Sequence, residues 1–192
     1  MDKVKGICLY ILSKIKENKK IAIGVLAVLL VIILIVIIAN ASNGKPSKYE
    51  DKIKTVVKAL NSESKMKSAI KDVIDVKGAA AWQEADQESE DFNKEYKKLK
   101  KDDDEVEDME KALKEYAKNA SEEYKVKSIK EPKRDSKNKK IWTVTATLEE
   151  DGDEAQVKFV FYKGKVIDVI HKSSGSSLFE VMLKSYNSKD KE

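Results

Sequence analysis

The stretch IWTVTATLEEDGDEAQVKFVFYKGKVIDVI, residues 141–170, decides the fold, because its apolar residues recur at every second position. A period of two is typical of a β-strand that turns one face toward a core. Asp151-Gly152 and Lys163-Gly164 are short turn signals, and they divide the stretch into three strands. The pattern therefore predicts three consecutive antiparallel strands joined as a meander.

The first of these strands separates two kinds of side chain. One face carries Trp142, Val144, Ala146 and Leu148, and the other carries the threonines at 143, 145 and 147. We expect the apolar face to meet the core and Trp142 to be a core residue, since large apolar side chains gain most from burial. Upstream, residues 124–130 are predicted to form a further strand, and the polar segment 131–140 is predicted to be a loop.

Helical spacing dominates the chain before the strands. An apolar stripe begins after a predicted cap at Ser47 with Glu50, and a polar interruption at 61–64 predicts a kink or a break. Lys77-Gly78 is predicted to end this unit. Residues 79–122 favour either one long helix or, our preference, two helices broken near Lys101-Asp102, with Asp102 and Glu105 as the cap. The stripes are Tyr49, Ile53, Val56, Val57, Leu60; Met66, Ile70, Val73, Ile74; Trp82, Ala85, Phe92, Tyr96, Leu99; and Val106, Met109, Leu113, Tyr116, Ala117, Ala120.

A last helix is predicted at 178–186, capped by Ser177 and Glu180. Helices followed by a meander indicate the α+β class. We therefore expect amphipathic helices packed on one side of an antiparallel sheet of three or four strands, with a C-terminal helix.

Residues 21–39, IAIGVLAVLLVIILIVIIA, contain no charged or polar side chain. As a helix they would extend about 28 Å, close to the hydrocarbon thickness of a bilayer, and they predict a single transmembrane helix. Six lysines precede the segment against Asp2 and Glu17, which predicts a cytoplasmic N-terminus and an extracellular C-terminal part. Ala39-Asn40-Ala41 also has the form of a signal-peptidase site, so cleavage after Ala41 stays open.

The charge balance argues against a nucleic-acid partner. The chain has 38 basic and 34 acidic residues, and its net charge of +4 equals that of residues 1–39. Residues 40–192 are therefore neutral, and only Arg134 is an arginine, the residue best suited to reading bases and phosphates. A single cysteine, Cys8, excludes an intramolecular disulfide and any site with two cysteine ligands from one chain.

A search for catalytic groups finds no convincing site, so we predict no catalytic, cofactor or metal residues and no cofactor. His171, the only histidine, could pair with Asp168 in a triad, but it is better interpreted as a surface histidine at a strand end. The acidic runs 102–105 and 151–154 lack the ligand spacing of a calcium loop. Trp82, Phe92 and Tyr96 have helical spacing, which favours a core role over ligand binding.

The order of elements resembles that of nuclear-transport-factor-like, or cystatin-like, domains. The resemblance covers residues 49–171 and depends on the strand–Asp-Gly–strand–Lys-Gly–strand rhythm of 141–170. It implies a cone-shaped pocket between helices and sheet. It also implies a binding or assembly role, as in small membrane-anchored chains of Gram-positive bacteria, where such domains are common.

The leading hypothesis is thus a membrane-anchored extracytoplasmic interaction module that is not an enzyme, with the lipid bilayer and unidentified proteins as partners. One alternative is a structural subunit of a type IV secretion or conjugation complex, whose inner-membrane assembly factor shares this plan. Another is a hydrolase or ligand-modifying enzyme with an acidic pocket. The predicted parts are a lysine-rich cytoplasmic leader (1–20), the transmembrane helix (21–39), a linker (40–46), the α+β domain (47–187) and a tail (188–192).

Overall fold

The computed structural model describes residues 46–120 and 123–189, which form an α+β fold. The predicted class and the C-terminal helix are confirmed. The helices are α1 (Pro46–Leu60), α2 (Glu63–Asp72), α3 (Val76–Glu84), α4 (Phe92–Lys98), α5 (Asp104–Asn119) and α6 (Leu178–Lys189). The strands are β1 (Lys125–Ile129), β2 (Lys133–Arg134), β3 (Ile141–Glu150), β4 (Asp153–Tyr162) and β5 (Lys165–His171).

In these two ranges no helix has the length and apolar character needed to cross a bilayer. The predicted transmembrane segment 21–39, the leader 1–20 and most of the linker lie outside the described residues.

The sheet is antiparallel, with the order β1-β3-β4-β5, and β2 pairs with the start of β3. The sheet therefore has five strands in the described residues, and the expectation of three or four was too low. Lys133 and Arg134 pair with Thr143 and Trp142 inside the segment predicted to be a loop. A strand of two polar residues is too short to show a period of two, which explains why the sequence did not reveal it.

Both predicted turns are confirmed as two-residue hairpin turns. Asp151 and Gly152 have φ of 49° and 95°, and Lys163 and Gly164 have φ of 49° and 81°. Positive φ at both central residues is the geometry that matches the twist of hairpin strands. β3 and β4 consequently pair without interruption along their whole length, and the alternation predicted for β3 is preserved.

Helices cover both faces of the sheet, so the expectation that they pack on one side was wrong. The main core joins α1, α2, α5 and α6 to the face of Val144 and Phe159. A second core joins α3 and α4, through Trp82 and Phe92, to the opposite face. The reason lies at the end of β4, where Val160, Phe161 and Tyr162 are all buried, so that consecutive residues supply both faces.

Gly78 lies inside α3, so Lys77-Gly78 does not end the helical unit as predicted. The helix starts just before it, where the Asp75 carboxylate accepts a hydrogen bond of 3.0 Å from the Gly78 N–H. A Cβ at Gly78 would lie 2.6 Å from Cγ2 of Ile167. The glycine therefore permits a close helix–strand approach, which is a different use from a helix stop.

Residues 79–122 contribute to three helices, where one or two were expected. α3 ends before Asp86 and Gln87, whose φ of 48° and 61° is incompatible with a continuing right-handed helix. The break near Lys101-Asp102 is confirmed. The N-cap of α5 is Asp103 instead of Asp102, and its carboxylate accepts a hydrogen bond of 2.7 Å from the Lys100 N–H.

The ends of the first and last helices differ slightly from the prediction. α1 begins at Pro46, one residue before the expected cap, and proline suits a first helical position because the amide it lacks has no helical partner there. The interruption at 61–64 is confirmed as a break between α1 and α2. At α6, the Ser177 hydroxyl accepts from the Glu180 N–H at 3.0 Å, while the Glu180 carboxylate ion-pairs with Lys184.

Trp142 lies on the predicted face of β3 and packs against the main core, but it is only partly buried. Its ring centroid lies 6.3 Å from that of Tyr49, and the guanidinium carbon of Arg134 lies 5.7 Å away. The prediction that Trp142 is a core residue is therefore met in part, because the ring packs against the core but keeps some exposed surface. Trp142 pairs with the short β2 and lies at the margin of the core.

The outer edge of β5 is hydrogen-bonded to the rest of the chain. Val166 accepts from the Asp75 N–H and donates to the Val73 carbonyl, both at 2.9 Å. Farther along, the His171 N–H donates to the Ser176 carbonyl at 2.9 Å. Short connecting segments thus pair with this strand near both of its ends.

Candidate functional site

An apolar cleft of about 200 Å³ opens between the end of the sheet that carries the β3–β4 turn, the end of α1 and the start of α6. We call this end of the sheet the hairpin end. Alternation along the strands brings side chains of β3, β4 and β5 to one wall. Ala155 lies directly opposite Leu148 in the β3–β4 pairing, and its small side chain leaves space beside the larger one. The apolar lining is Leu60, Tyr124, Leu148, Ala155, Val157, Val169 and Leu178.

Carboxylates surround the mouth of this cleft. Glu150, Asp153 and Glu154 come from the β3–β4 hairpin, and His171 comes from the end of β5. Lysine and arginine are absent from the residues that line it. The mouth is therefore negative and the interior apolar, an arrangement that favours an apolar group carrying a positive charge.

The size of the cleft restricts what it could hold. Pockets for drug-sized ligands enclose about 300–1,000 Å³, and this cleft is smaller. A single large side chain of a partner protein or a small amine fits the space better. From the sequence, 151–154 was considered as a hairpin turn and as a metal loop, and the cleft was not identified because its lining is distributed over five separated segments.

Asp168 occupies the second notable position, inside the protein and away from the cleft lining. Its side chain is fully buried and accepts three hydrogen bonds: from Trp82 Nε1 at 3.1 Å, from the Ser177 hydroxyl at 2.7 Å and from the Val169 N–H at 2.8 Å. These bonds connect α3, β5 and the start of α6. A lone charge within the apolar run Val166–Ile170 was the available signal, since a buried carboxylate requires partners.

Burial raises the pKa of Asp168 from 3.8 to about 6, because the ionised form is poorly solvated inside the protein. The hydrogen bonds from Ser177, Val169 and Trp82 oppose this rise by stabilising the carboxylate. An acidic group with a raised pKa can indicate a catalytic acid when it lies in a cleft. Asp168 instead connects three elements of the core, which is a structural role.

The structure does not bring Asp168 and His171 together as a dyad. His171 lies partly exposed at the end of β5, and its Nδ1 lies 3.0 Å from the Ser173 hydroxyl. The Ser177 hydroxyl, by contrast, bonds to Asp168 and caps α6. The predicted position of His171 at the end of a strand is confirmed.

The other residues that the sequence suggested as metal or ligand sites occupy structural positions in the fold. The run 102–105 surrounds the start of α5, and 151–154 forms the hairpin tip. In residues 46–120 and 123–189 no group of three or more histidine, cysteine or acidic residues is arranged to hold a metal ion. Trp82, Phe92 and Tyr96 belong to the second core or pack against it, as expected.

A groove of about 180 Å³ runs between α5 and α6. Lys189 forms an ion pair of 2.7 Å with Glu115 across this region, joining the two helices. The groove is therefore partly filled by an interaction of the domain itself, and the cleft at the hairpin end is the better candidate for a binding site.

Comparison of the chain with protein-family models, with curated proteins and with solved structures found no match.

Proposed function

We propose that the chain is a membrane-anchored extracytoplasmic interaction module without catalytic activity, and that its cleft binds a positively charged apolar group of a partner. The observation that carries the proposal is the combination of an apolar interior with three carboxylates at the mouth. A long basic side chain has this same combination, since its methylene groups are apolar and only its end is charged.

The anchor and its orientation form the other part of the proposal. They are supported by the uninterrupted apolar segment 21–39 and by the lysines before it. With this topology the domain that starts at α1 faces the outside of the cell. Its cleft is then available to proteins or small amines on that side.

The cleft can be tested with a water-soluble fluorescent arylalkylamine and its carboxylate analogue. The full chain is reconstituted in lipid nanodiscs, and empty nanodiscs serve as the blank. We expect saturable binding of the amine and at least tenfold weaker binding of the carboxylate, because the carboxylates at the mouth repel an anion.

Two variants assign this binding to the cleft. Ala155→Trp fills the space beside Leu148 and should abolish amine binding. Asp153→Asn combined with Glu154→Gln should weaken binding of the amine and reduce the preference over the carboxylate. A matched pair outside the cleft lining, Asp102→Asn with Asp104→Asn, should leave both unchanged. Equal binding of the two probes, or amine binding that survives Ala155→Trp, would refute the proposal.

A further inference from the structure

Lysines converge at the end of the sheet opposite the cleft. Lys52 Nζ donates a hydrogen bond to the carbonyl of Gly164 in the β4–β5 turn. Lys165, in the same hairpin, reaches the carbonyl of Lys71 at 3.3 Å. The turn thus draws together lysines from α1, α2 and β5. We call this surface the basic end; its members are Lys48, Lys52, Lys71, Lys77, Lys163 and Lys165.

Aromatic rings lie among these lysines. Lys77 Nζ and Lys163 Nζ lie 4.6 and 5.9 Å from the ring centroid of the same tyrosine, Tyr96. Lys163 Nζ also lies 5.1 Å from the ring centroid of Tyr162. Tyr162 is buried and Tyr96 is partly buried, so these rings anchor the two lysines through cation–π contacts and hold their ammonium groups at this end of the domain.

The positive charge of five lysines of the basic end is poorly matched within the protein. Elsewhere lysines pair with acids one helical turn away, as in Lys54–Glu50 and Lys67–Glu63. In the described part of the chain Lys52, Lys71, Lys77, Lys163 and Lys165 form no ion pair. The acidic residues beside them are Asp51, Asp72 and Asp75, and the Asp75 carboxylate already accepts from the Gly78 N–H and the Tyr96 hydroxyl.

Crowding of these cations affects Lys52 directly. Its pKa lies below the ordinary value, first because burial disfavours the ammonium ion and then because Lys48 and Lys165 repel it. Like charges gathered in this way destabilise the protein unless an external anion compensates them. The arrangement is thus adapted to an anionic surface outside the domain.

We propose that the basic end docks onto the surface of an anionic phospholipid bilayer. The proposal depends on the proposed anchor, because the six residues 40–45 that separate α1 from the predicted transmembrane segment can extend at most about 22 Å. α1 contributes Lys48 and Lys52 near its start, so the tether keeps the basic end at high effective concentration near lipid. Docking there would direct the cleft, at the opposite end of the sheet, away from the membrane.

The test uses the full chain in nanodiscs of phosphatidylcholine, with or without phosphatidylglycerol, that contain a lipid with a paramagnetic headgroup. We expect strong relaxation enhancement of the Gly164 amide in discs with phosphatidylglycerol and its loss without it. Raising the salt from about 0.1 M to about 1 M shortens the Debye length from about 10 Å to about 3 Å and should abolish the enhancement.

The triple variant Lys48→Gln, Lys163→Gln, Lys165→Gln should lose docking. One lysine near an anionic surface contributes about a fivefold factor, so three should lower the docking equilibrium on the order of 100-fold. The control Lys125→Gln, Lys127→Gln, Lys172→Gln removes the same charge from the hairpin end and should dock as the parent does. Relaxation enhancement at the Gly164 amide that does not change with lipid charge or with salt would refute the proposal.

Flotation with vesicles separates failure of the anchor from failure of docking. A chain that floats with phosphatidylcholine alone is anchored, and the relaxation measurement then decides docking. A chain that floats only with phosphatidylglycerol vesicles, and is released by salt and by the triple variant, supports the basic end but refutes the anchor. A chain that floats with neither refutes both.

Discussion

The buried carboxyl of Asp168 predicts a specific dependence of stability on pH. Its pKa rises from 3.8 to about 6 on folding. Below pH 3.8 the carboxyl is protonated in both the folded and the unfolded state, and its contribution to the free energy of unfolding is then largest. Above about pH 6 it is ionised in both states. The stabilising contribution is therefore lost as the pH rises through 6. A shift of about 2 units corresponds to about 3 kcal/mol.

Asp168→Asn removes this titration. The amide has no charge to bury, but its NH₂ group would face a donor, either Trp82 Nε1 or the Val169 N–H, at a cost of about 1–3 kcal/mol that is the same at every pH. The parent should therefore lose about 3 kcal/mol relative to the variant between pH values below 4 and pH 7.

The assay is urea unfolding of a fragment 44–192 across that pH range, followed by tryptophan fluorescence. The fragment corresponds to a compact unit of the chain that starts at Gly44, and we expect it to fold alone. Comparing parent and variant cancels the titration of all other groups. A difference between them that is constant with pH, or that changes in the opposite direction, would show that Asp168 is not a buried carboxylate with a raised pKa.

Three further predictions concern stability and topology. Trp142→Ala should lower the free energy of unfolding of the fragment by about 2 kcal/mol, less than the 3–5 kcal/mol of a fully buried tryptophan, because this ring is only partly buried. Gly78→Ala should destabilise it by about 1–3 kcal/mol, since the new methyl group meets Ile167, whereas alanine normally stabilises a helix interior; urea unfolding measures both changes. In intact cells, Ser188→Cys should react with an impermeant thiol reagent while the native Cys8 does not.

Each of these predictions has a control or an outcome that would contradict it. Thr145→Ala, on the other face of β3, should cost less than the tryptophan change, and the reverse order would mean that the sheet faces are misassigned. Ser68→Ala, at an exposed position of α2, should be neutral or slightly stabilising. Comparison with Gly78→Ala then shows how much of that destabilisation comes from the contact with Ile167. Labelling of Cys8 but not of the cysteine introduced at 188 would reverse the topology.

The sheet could be predicted from sequence because local signals agree there. Asp151-Gly152 and Lys163-Gly164 prescribe turns of two residues, and the alternation in β3 fixes which face is apolar. The break between α1 and α2 was also visible as a local run of polar residues. Such features depend on neighbours in the chain, which a sequence displays directly.

Contacts between distant segments were the part that could not be predicted. Gly78 resembles a helix stop until Ile167 is known to lie against it. The presence of Tyr162 in β4 does not by itself show that a second layer of helices covers that face of the sheet. The cleft depends on Leu60, far from the hairpin in sequence, and no local pattern connects them. Side-chain packing between segments that are far apart in the sequence decides these features.

The pairing of the outer edge of β5 has a consequence for self-association. A bare edge strand is a template onto which a second chain can add, and repeated addition produces aggregates. Here Val73, Asp75 and Ser176 already use hydrogen-bonding groups of that edge. β1, at the other side of the sheet, is only five residues long and carries Lys125, whose charge opposes stacking of identical copies. The domain is thus suited to high local density without polymerising through its sheet.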